Sequence, residues 1–398
     1  KIYSIENFQV RLQTMSSLFM SLLKDTSAPK ESKQETKAEE VDAYFSLQKP
    51  AVLQEARCFN DKQINPKKCR LLIARLVFLL NQGEKFLGDE STLLFFSITK
   101  LFQSENAELR RMIYLIIREM QKEPSLYIIT QSLTKDMSSK VDLFRMNSLR
   151  LAPVIIEPQY LVQSERYIKN AIIDKNNAIA CAALAASFHL YPTSSDFVKK
   201  WSNEIMDKLS SKSPACHFHA LLVLRLIKSQ DKNSFVKLLV NLAKENNSNG
   251  IAAVQIIRFI REAILTMEID ESSERIFIDY LFKQSKKNTE IIVFEASKTL
   301  CEIKSLPNKE LAPVISVLSL FLSSSNSVNK FAALKILNKL ISNPSRVSLL
   351  SNVSDIETLI KDNNKSLSSL AMSILLKISK EENVESLLTQ IQEFLSEI

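Results

Sequence analysis

The chain has 398 residues, 45% hydrophobic and 24% charged, the balance of a folded globular protein with room for two or three compact domains. Three glycines (Gly83, Gly88, Gly250) are too few for the turns of a sheet protein or for a phosphate-cradling loop, so the composition favours helices joined by polar turns. Its 52 basic and 44 acidic residues give a formal charge of +8, a modest bias that suits an acidic partner or anionic lipid and is not the footprint of a nucleic-acid binder.

Residues 1–49 stand apart. The stretch TSAPKESKQETKAEEVD at 26–42 is rich in Lys, Glu, Ser and Thr with almost no apolar side chain, and reads as a disordered linker in which Glu39, Glu40 and Asp42 are solvated. Residues before Met15 read as a leader or extension, and SLFMSLL at 17–23 is too short to anchor the chain in a membrane. Residues 1–49 are therefore expected to be a variable, partly disordered extension. Order is expected to resume near Pro50, a residue suited to the first turn of a helix, and to continue as one trunk over 50–398.

NPKKCR at 65–70 opens the next helix, with Lys67, Lys68 and Arg70 crowded where cations oppose the helix dipole. Two readings stand: a solvated cluster, or contact with anionic headgroups. The following run LLIARLVFLL at 71–80 carries Arg75 and is too short to span a bilayer. Around residue 95, a helical wheel puts Leu94, Phe95, Ile98, Leu101 and Phe102 on a core face, and Leu93 and Phe96 on the other side, flanking Lys100. Either both stripes are buried by neighbours, or the second is an exposed apolar stripe.

From residue 139 the chain repeats. The segments at 139–156, 174–191, 211–228, 287–304, 324–341 and 362–379 each open with a polar turn and bring a small residue to the same point: Ser148, Ala183, Ala220, Ala296, Ala333 and Ala371. The gaps between them are 35, 37, 76, 37 and 38 residues, the 76 being two periods across the less regular IAAVQIIRFIREAI. Mostly apolar residues follow at +3, +4 and +7, as in Ala333, Ile336, Leu337 and Leu340, which lines one face of a helix. Each period of about 37 residues is then a hairpin of this helix and a partner such as LAPVISVLSLFL at 311–322. The expected fold is all-α, a solenoid of HEAT/armadillo-like hairpins wound as a right-handed superhelix, with roughly nine units after Pro66. With no polar capping unit before Ile398, the chain reads as the first part of a longer solenoid.

The five cysteines contain no CxxC and read as reduced core thiols of a cytosolic protein. CHFH at 216–219 resembles a metal cluster, but His217 and His219 are two residues apart on a helix and point to different faces. His189 has no acidic or thiol partner near it in sequence. No Walker loop, nucleophile elbow or HExxH is present, so no catalytic, cofactor or metal site is expected.

Several segments carry a family resemblance: AVLQEARCFNDKQINPKKC (51–69), LLNQGE (79–84), FFSITKLFQS (95–104), LRRMIYL (109–115), LTKDMSSKVDLFRMNSLR (133–150), ERYIKNAIIDKN (165–176), KKWSNE (199–204) and LAPVISVLSLFLSSSNSV (311–328). In order along 50–398, they resemble the trunk of the coatomer gamma subunit family, which is similar to the large chains of clathrin adaptors. The resemblance implies a non-catalytic COPI coat scaffold that pairs with the zeta subunit and joins the beta and delta subunits. It also implies binding of a GTP-loaded Arf-type GTPase on Golgi membranes, in retrograde Golgi-to-ER and intra-Golgi transport. On it, Leu93, Phe96, Lys100 and Gln103, with the alternate helices near 124–136 and 158–173, become the candidate GTPase face, and Lys67, Lys68 and Arg70 the candidate membrane contact. The alternatives are another helical-repeat scaffold, such as a clathrin-adaptor large chain or a nuclear transport receptor-like solenoid. A nucleic-acid-binding repeat should place basic or base-reading residues at the same position of every unit, and these units differ there.

Overall fold

The computed structural model describes residues 47–86, 88–121, 123–157, 161–228, 231–245, 250–349 and 353–378, with residues 388 and 392. All but the last three residues of the expected 1–49 extension lie outside the described residues. The chain divides into two compact units, Lys1–Ser132 and Leu133–Ile398, a division that composition did not announce. Among the described residues every regular element is an α-helix or a 3-10 turn, as an all-α solenoid requires.

In the first unit α1 (Lys49–Glu55) has Pro50 in its first turn and runs into the 3-10 turn Ala56–Asn60. Then come α2 (Pro66–Asn81), α3 (Asp89–Leu101), α4 (Ala107–Glu119) and the 3-10 turn Pro124–Ile129. Helix α5 (Thr130–Met137) crosses the division between the units. Helices α2 and α4 pack side by side as one layer, and α3 packs against the two 3-10 turns as the other. Helix α2 ends where Gly83, at φ 98°, lets the chain turn back: the Gly83 N–H donates to the Leu80 carbonyl and the Glu84 N–H to the Leu79 carbonyl, both at 3.1 Å. A side chain there would be strained, so one of the few glycines sits where only glycine is comfortable.

In the second unit the marked segments are helices α6 (Asp142–Ile155), α8 (Asn177–Leu190), α11 (Pro214–Ile227), α13 (Ile251–Thr266), α15 (Glu290–Glu302), α17 (Ser327–Leu340) and α19 (Lys365–Ile378). Each packs on the next to form one layer. Between them lie the partners α7 (Leu161–Ile172), α9 (Ser195–Lys200), α10 (Ser202–Asp207), α12 (Lys232–Glu245), α14 (Glu271–Ser285), α16 (Asn308–Leu322) and α18 (Val353–Thr358). The six small residues are all fully buried. Lacking bulk, they let neighbouring helices approach at the crossing, and Ser148 satisfies its hydroxyl on the Arg145 carbonyl at 2.9 Å. The irregular unit has no small residue at the period; the buried Ile256 and Ile257 stand there, and Ala252, Ala253 and Ala263 are buried in the same helix.

Helix starts rely on Asn and Asp, which accept backbone N–H bonds that a helix cannot satisfy internally. The side chains of Asn176 and Asn326 cap the N–H groups of Ala178 and Val328 at 3.0 Å, and Asp270 caps that of Ser273 at 3.0 Å. Longer-range polar contacts keep the repeat distance. The buried Trp201 indole donates to Glu165 at 3.4 Å, 36 residues back, and Asn308 donates to the Ser345 carbonyl at 2.9 Å, 37 residues on.

Candidate interaction surfaces

Helix α3 separates its two stripes. Leu94, Phe95, Ile98 and Leu101 are buried, whereas Leu93 is 66% and Phe96 55% exposed, and Lys100 and Gln103 are exposed beside them. Of the two readings, the exposed apolar stripe holds. Phe102 departs from the expected core face: it is half-buried, with the fully buried Arg110 guanidinium 4.6 Å from its ring centroid. Arg110 in turn donates to the Tyr114 hydroxyl at 2.8 Å, so Phe102 covers a charged group rather than filling apolar core. The turn Pro124–Ile129 is tied to α3 by the hydroxyl pair Thr92–Ser125 at 2.6 Å and carries another exposed aromatic, Tyr127. The wheel of α3 could not reveal Tyr127, which lies one repeat further on. Of the expected alternate helices, 124–136 is this turn followed by α5, and α7 lies within 158–173.

At the start of α2 the Asn65 side chain accepts from the N–H groups of Lys67 at 3.1 Å and Lys68 at 3.3 Å, which offsets two cations in a first turn. Lys67 and Lys68 are exposed, with no ion-pair partner among the described residues. Arg70 differs: it is half-buried and ion-paired with Glu108 of α4, so its charge is engaged across the layer.

The CHFH residues sit in α11 with His217 buried and His219 half-buried. Burial pushes the His217 imidazole pKa down against the pull of Glu245, and burial, Arg150 and His189 push His219 down. Both are therefore neutral packing groups near pH 7. Among the described residues no cluster of three or more His, Cys, Asp or Glu is placed to hold a metal, and no helix is long and apolar enough to cross a membrane. The thiols, scattered in sequence, do meet in space. Cys181 and Cys216 have sulfurs 3.0 Å apart, and the free thiols of Cys58 and Cys69 share a hydrogen bond. Burial pushes Cys181 and Cys301 up to about 12 and Cys69 to about 11, so these thiols are protonated and unreactive.

A further surface was not foreseen. Arg225 of α11 pairs with Glu262 of α13, and Arg258 of α13 pairs with Glu295 of α15 at 3.2 Å, each 37 residues apart. Glu302 of α15 takes Arg261 of α13 from one side and Lys339 of α17, at 2.9 Å, from the other. The sequence signal is a pair of opposite charges separated by one repeat, which a period of like residues does not reveal.

Comparison with known proteins fits this architecture. The adaptin N terminal region family matches residues 48–398. Coatomer subunit gamma of Arabidopsis thaliana is 41% identical over 361 residues, covering 90% of this chain and 41% of that protein. Coatomer subunit gamma-2 of Homo sapiens is 38% identical over 354 residues, 88% of this chain and 40% of that protein. The chain thus spans about two fifths of the length of these relatives. A chain of a homology model of the full-length AP-3 complex superposes with a TM-score of 0.66 at 15% identity, over 83% of this chain and 57% of that one. A chain of a Kap95p–RanGDP structure does so with a TM-score of 0.56 at 11% identity, over 87% and 50%. These two likenesses concern the fold. The chain belongs to the adaptin N-terminal region family, and within it is similar to coatomer gamma subunits.

Proposed function

We propose that this chain is a non-catalytic scaffold segment of a COPI-type vesicle coat, the trunk of a gamma-type coatomer subunit. The observation that carries the reading is 41% identity to a coatomer gamma subunit along 90% of the chain. On this reading its partners are the zeta subunit, the beta and delta subunits, and a GTP-loaded Arf-type GTPase. It works on the cytosolic face of Golgi membranes and on coated vesicles, in Golgi-to-ER and intra-Golgi transport. The clathrin-adaptor and nuclear-transport alternatives rest on fold likeness at 15% and 11% identity, which speaks for architecture alone.

The GTPase is proposed to dock on the exposed stripe of α3. An Arf-type switch offers apolar residues when GTP is bound, and the matching surface is apolar with a polar rim. Phe96 serves as anchor, Leu93 as its neighbour, and Lys100 with Gln103 as the rim. Lys67 and Lys68 face anionic headgroups, with Arg70 behind them in its ion pair.

The test has two arms. Co-expression with a zeta-type subunit should yield a complex that survives gel filtration; failure to form one counts against the coat reading. Titration with GTP- and GDP-loaded GTPase should show preference for the GTP form, and Phe96→Ala should weaken binding by about 2 kcal/mol, roughly thirtyfold. A folded Phe96→Ala chain that binds as tightly as the parent would place the docking face elsewhere.

A further inference from the structure

In the second unit, two carboxylates are each shared by two cations. Glu295 accepts from Arg258 at 3.2 Å and from Lys298 at 3.3 Å, and Glu302 from Arg261 and, at 2.9 Å, from Lys339. The carboxylates lie inward, with side chains 7% and 10% exposed, while Arg258 and Lys339 are 55% and 68% exposed. Each cluster therefore presents one uncompensated positive charge, fixed in position by the carboxylate beneath it. The row continues past these clusters. Exposed Lys335 stands one turn before Lys339 on α17, and exposed Lys377 of α19 reaches, among the described residues, the neutral Asn338 at 2.7 Å. Burial alone would push the Glu302 carboxyl up, but hydrogen bonds from Arg261 and Lys339 outweigh it and hold it below the usual range, so the cluster keeps its charges at neutral pH.

We propose that this row, running across α13, α15, α17 and α19, is a docking surface for an extended acidic segment of a partner protein. Packed helices lie about 8–10 Å apart. An extended chain advances about 3.3 Å per residue, so a partner with a carboxylate at every third residue places one over each helix in turn. Cations held by buried carboxylates suit a ligand of matching spacing, because little side-chain order is lost on binding. A bilayer is served better by free lysines of the kind at 67 and 68. A nucleic-acid strand fits less well: grooves for it stack successive bases on several aromatics, and on these four helices Phe331 of α17, one turn before Lys335, is the one exposed aromatic among the described residues. The inference stands independently of the coat reading, since it concerns a surface of this chain alone.

The probe is a fluorescein-labelled peptide of four Glu-Ser-Gly triplets, compared by anisotropy with an isomer whose four glutamates are adjacent. Arg258→Gln and Lys339→Gln together form the variant, because Lys298 and Arg261 still pair with the two carboxylates and the chain should keep its melting temperature. The parent should bind the spaced peptide several-fold tighter than the isomer, and the variant should lose about tenfold, with affinity falling as salt rises. Equal binding of the two peptides, or no loss in the folded variant, would overturn the proposal. So would tighter binding of phosphatidylserine vesicles or a single-stranded oligonucleotide that the same variant abolishes.

Discussion

Arg346 reaches back 43 residues to Ile303, donating from Nη2 to its carbonyl at 2.8 Å, while Nη1 donates to the Cys301 carbonyl at 2.7 Å. These carbonyls close α15, at the end where a helix leaves acceptors without partners. Arg346 is buried on the 3-10 turn Pro344–Leu349, so water does not readily replace it. Arg346→Met keeps the apolar stem and removes the donors. It is expected to cost about 2–4 kcal/mol in urea unfolding followed by circular dichroism. A midpoint equal to that of the parent would show that the turn does not depend on this cap.

Ala333 tests the repeat itself. It is fully buried in α17, which packs against α15 and α19, and Ala333→Leu should overpack that contact at a cost of about 1–3 kcal/mol. Lys335→Leu, two residues away and exposed, serves as control and should stay within about 0.5 kcal/mol. Equal melting temperatures for the two variants would contradict the packing.

Phe95 and Phe96 make the same comparison in the first unit. Phe95 is fully buried, and Phe95→Ala should cost about 3–5 kcal/mol through the cavity it leaves. Phe96 is 55% exposed, and Phe96→Ala should change stability by no more than about 0.5 kcal/mol. Thermal melts of both variants decide the matter, and a large loss at Phe96 would mean that its ring is packed.

These residues also mark how far sequence reasoning reaches. Ala333 was legible because a crossing recurs in each repeat and leaves a period in the chain. The two stripes of α3 were legible as stripes, but whether Phe96 meets solvent depends on which elements flank α3. Arg70 read as a free cation because its partner, Glu108, lies on α4, beyond any helical spacing. Cys181 and Cys216 read as scattered, although they lie 35 residues apart, close to one period, and meet at 3.0 Å. The pairs of Arg225 with Glu262 and Arg258 with Glu295 obey the same period with opposite charges, so a search for like residues passes over them.

The histidines of α11 predict a pH dependence. Burial lowers the His217 pKa below 6.5, so the unfolded chain binds the proton more readily than the folded one. The contribution of His217 is present above pH 6.5 and is lost as pH falls through 6.5 toward the folded value. His219 acts in the same direction. Stability should therefore decline as pH falls from 7 through 6.5, above the range where ordinary carboxylates titrate. His217→Leu should reduce that slope, and adding His219→Leu should reduce it further. A slope unchanged in the double variant would assign the decline to other groups.

The start of α2 separates a structural cation from two available ones. Arg70 spans from α2 to Glu108 of α4, half-buried, so Arg70→Ala should lower stability by up to about 1 kcal/mol. Lys67 and Lys68 are exposed, and their Asn65 cap uses backbone N–H groups that substitution does not remove. Replacing both by Ala should therefore leave the melting temperature unchanged. At an anionic surface each lysine contributes about 1 kcal/mol, so the double variant should lose roughly thirtyfold in affinity for phosphatidylserine liposomes at low salt. The difference should shrink as salt rises, because exposed charges are screened within about 10 Å at 0.1 M. Flotation of parent, double variant and Arg70→Ala at two salt concentrations reads all of this. Equal flotation of parent and double variant at low salt would leave Lys67 and Lys68 as solvated charges with no membrane role.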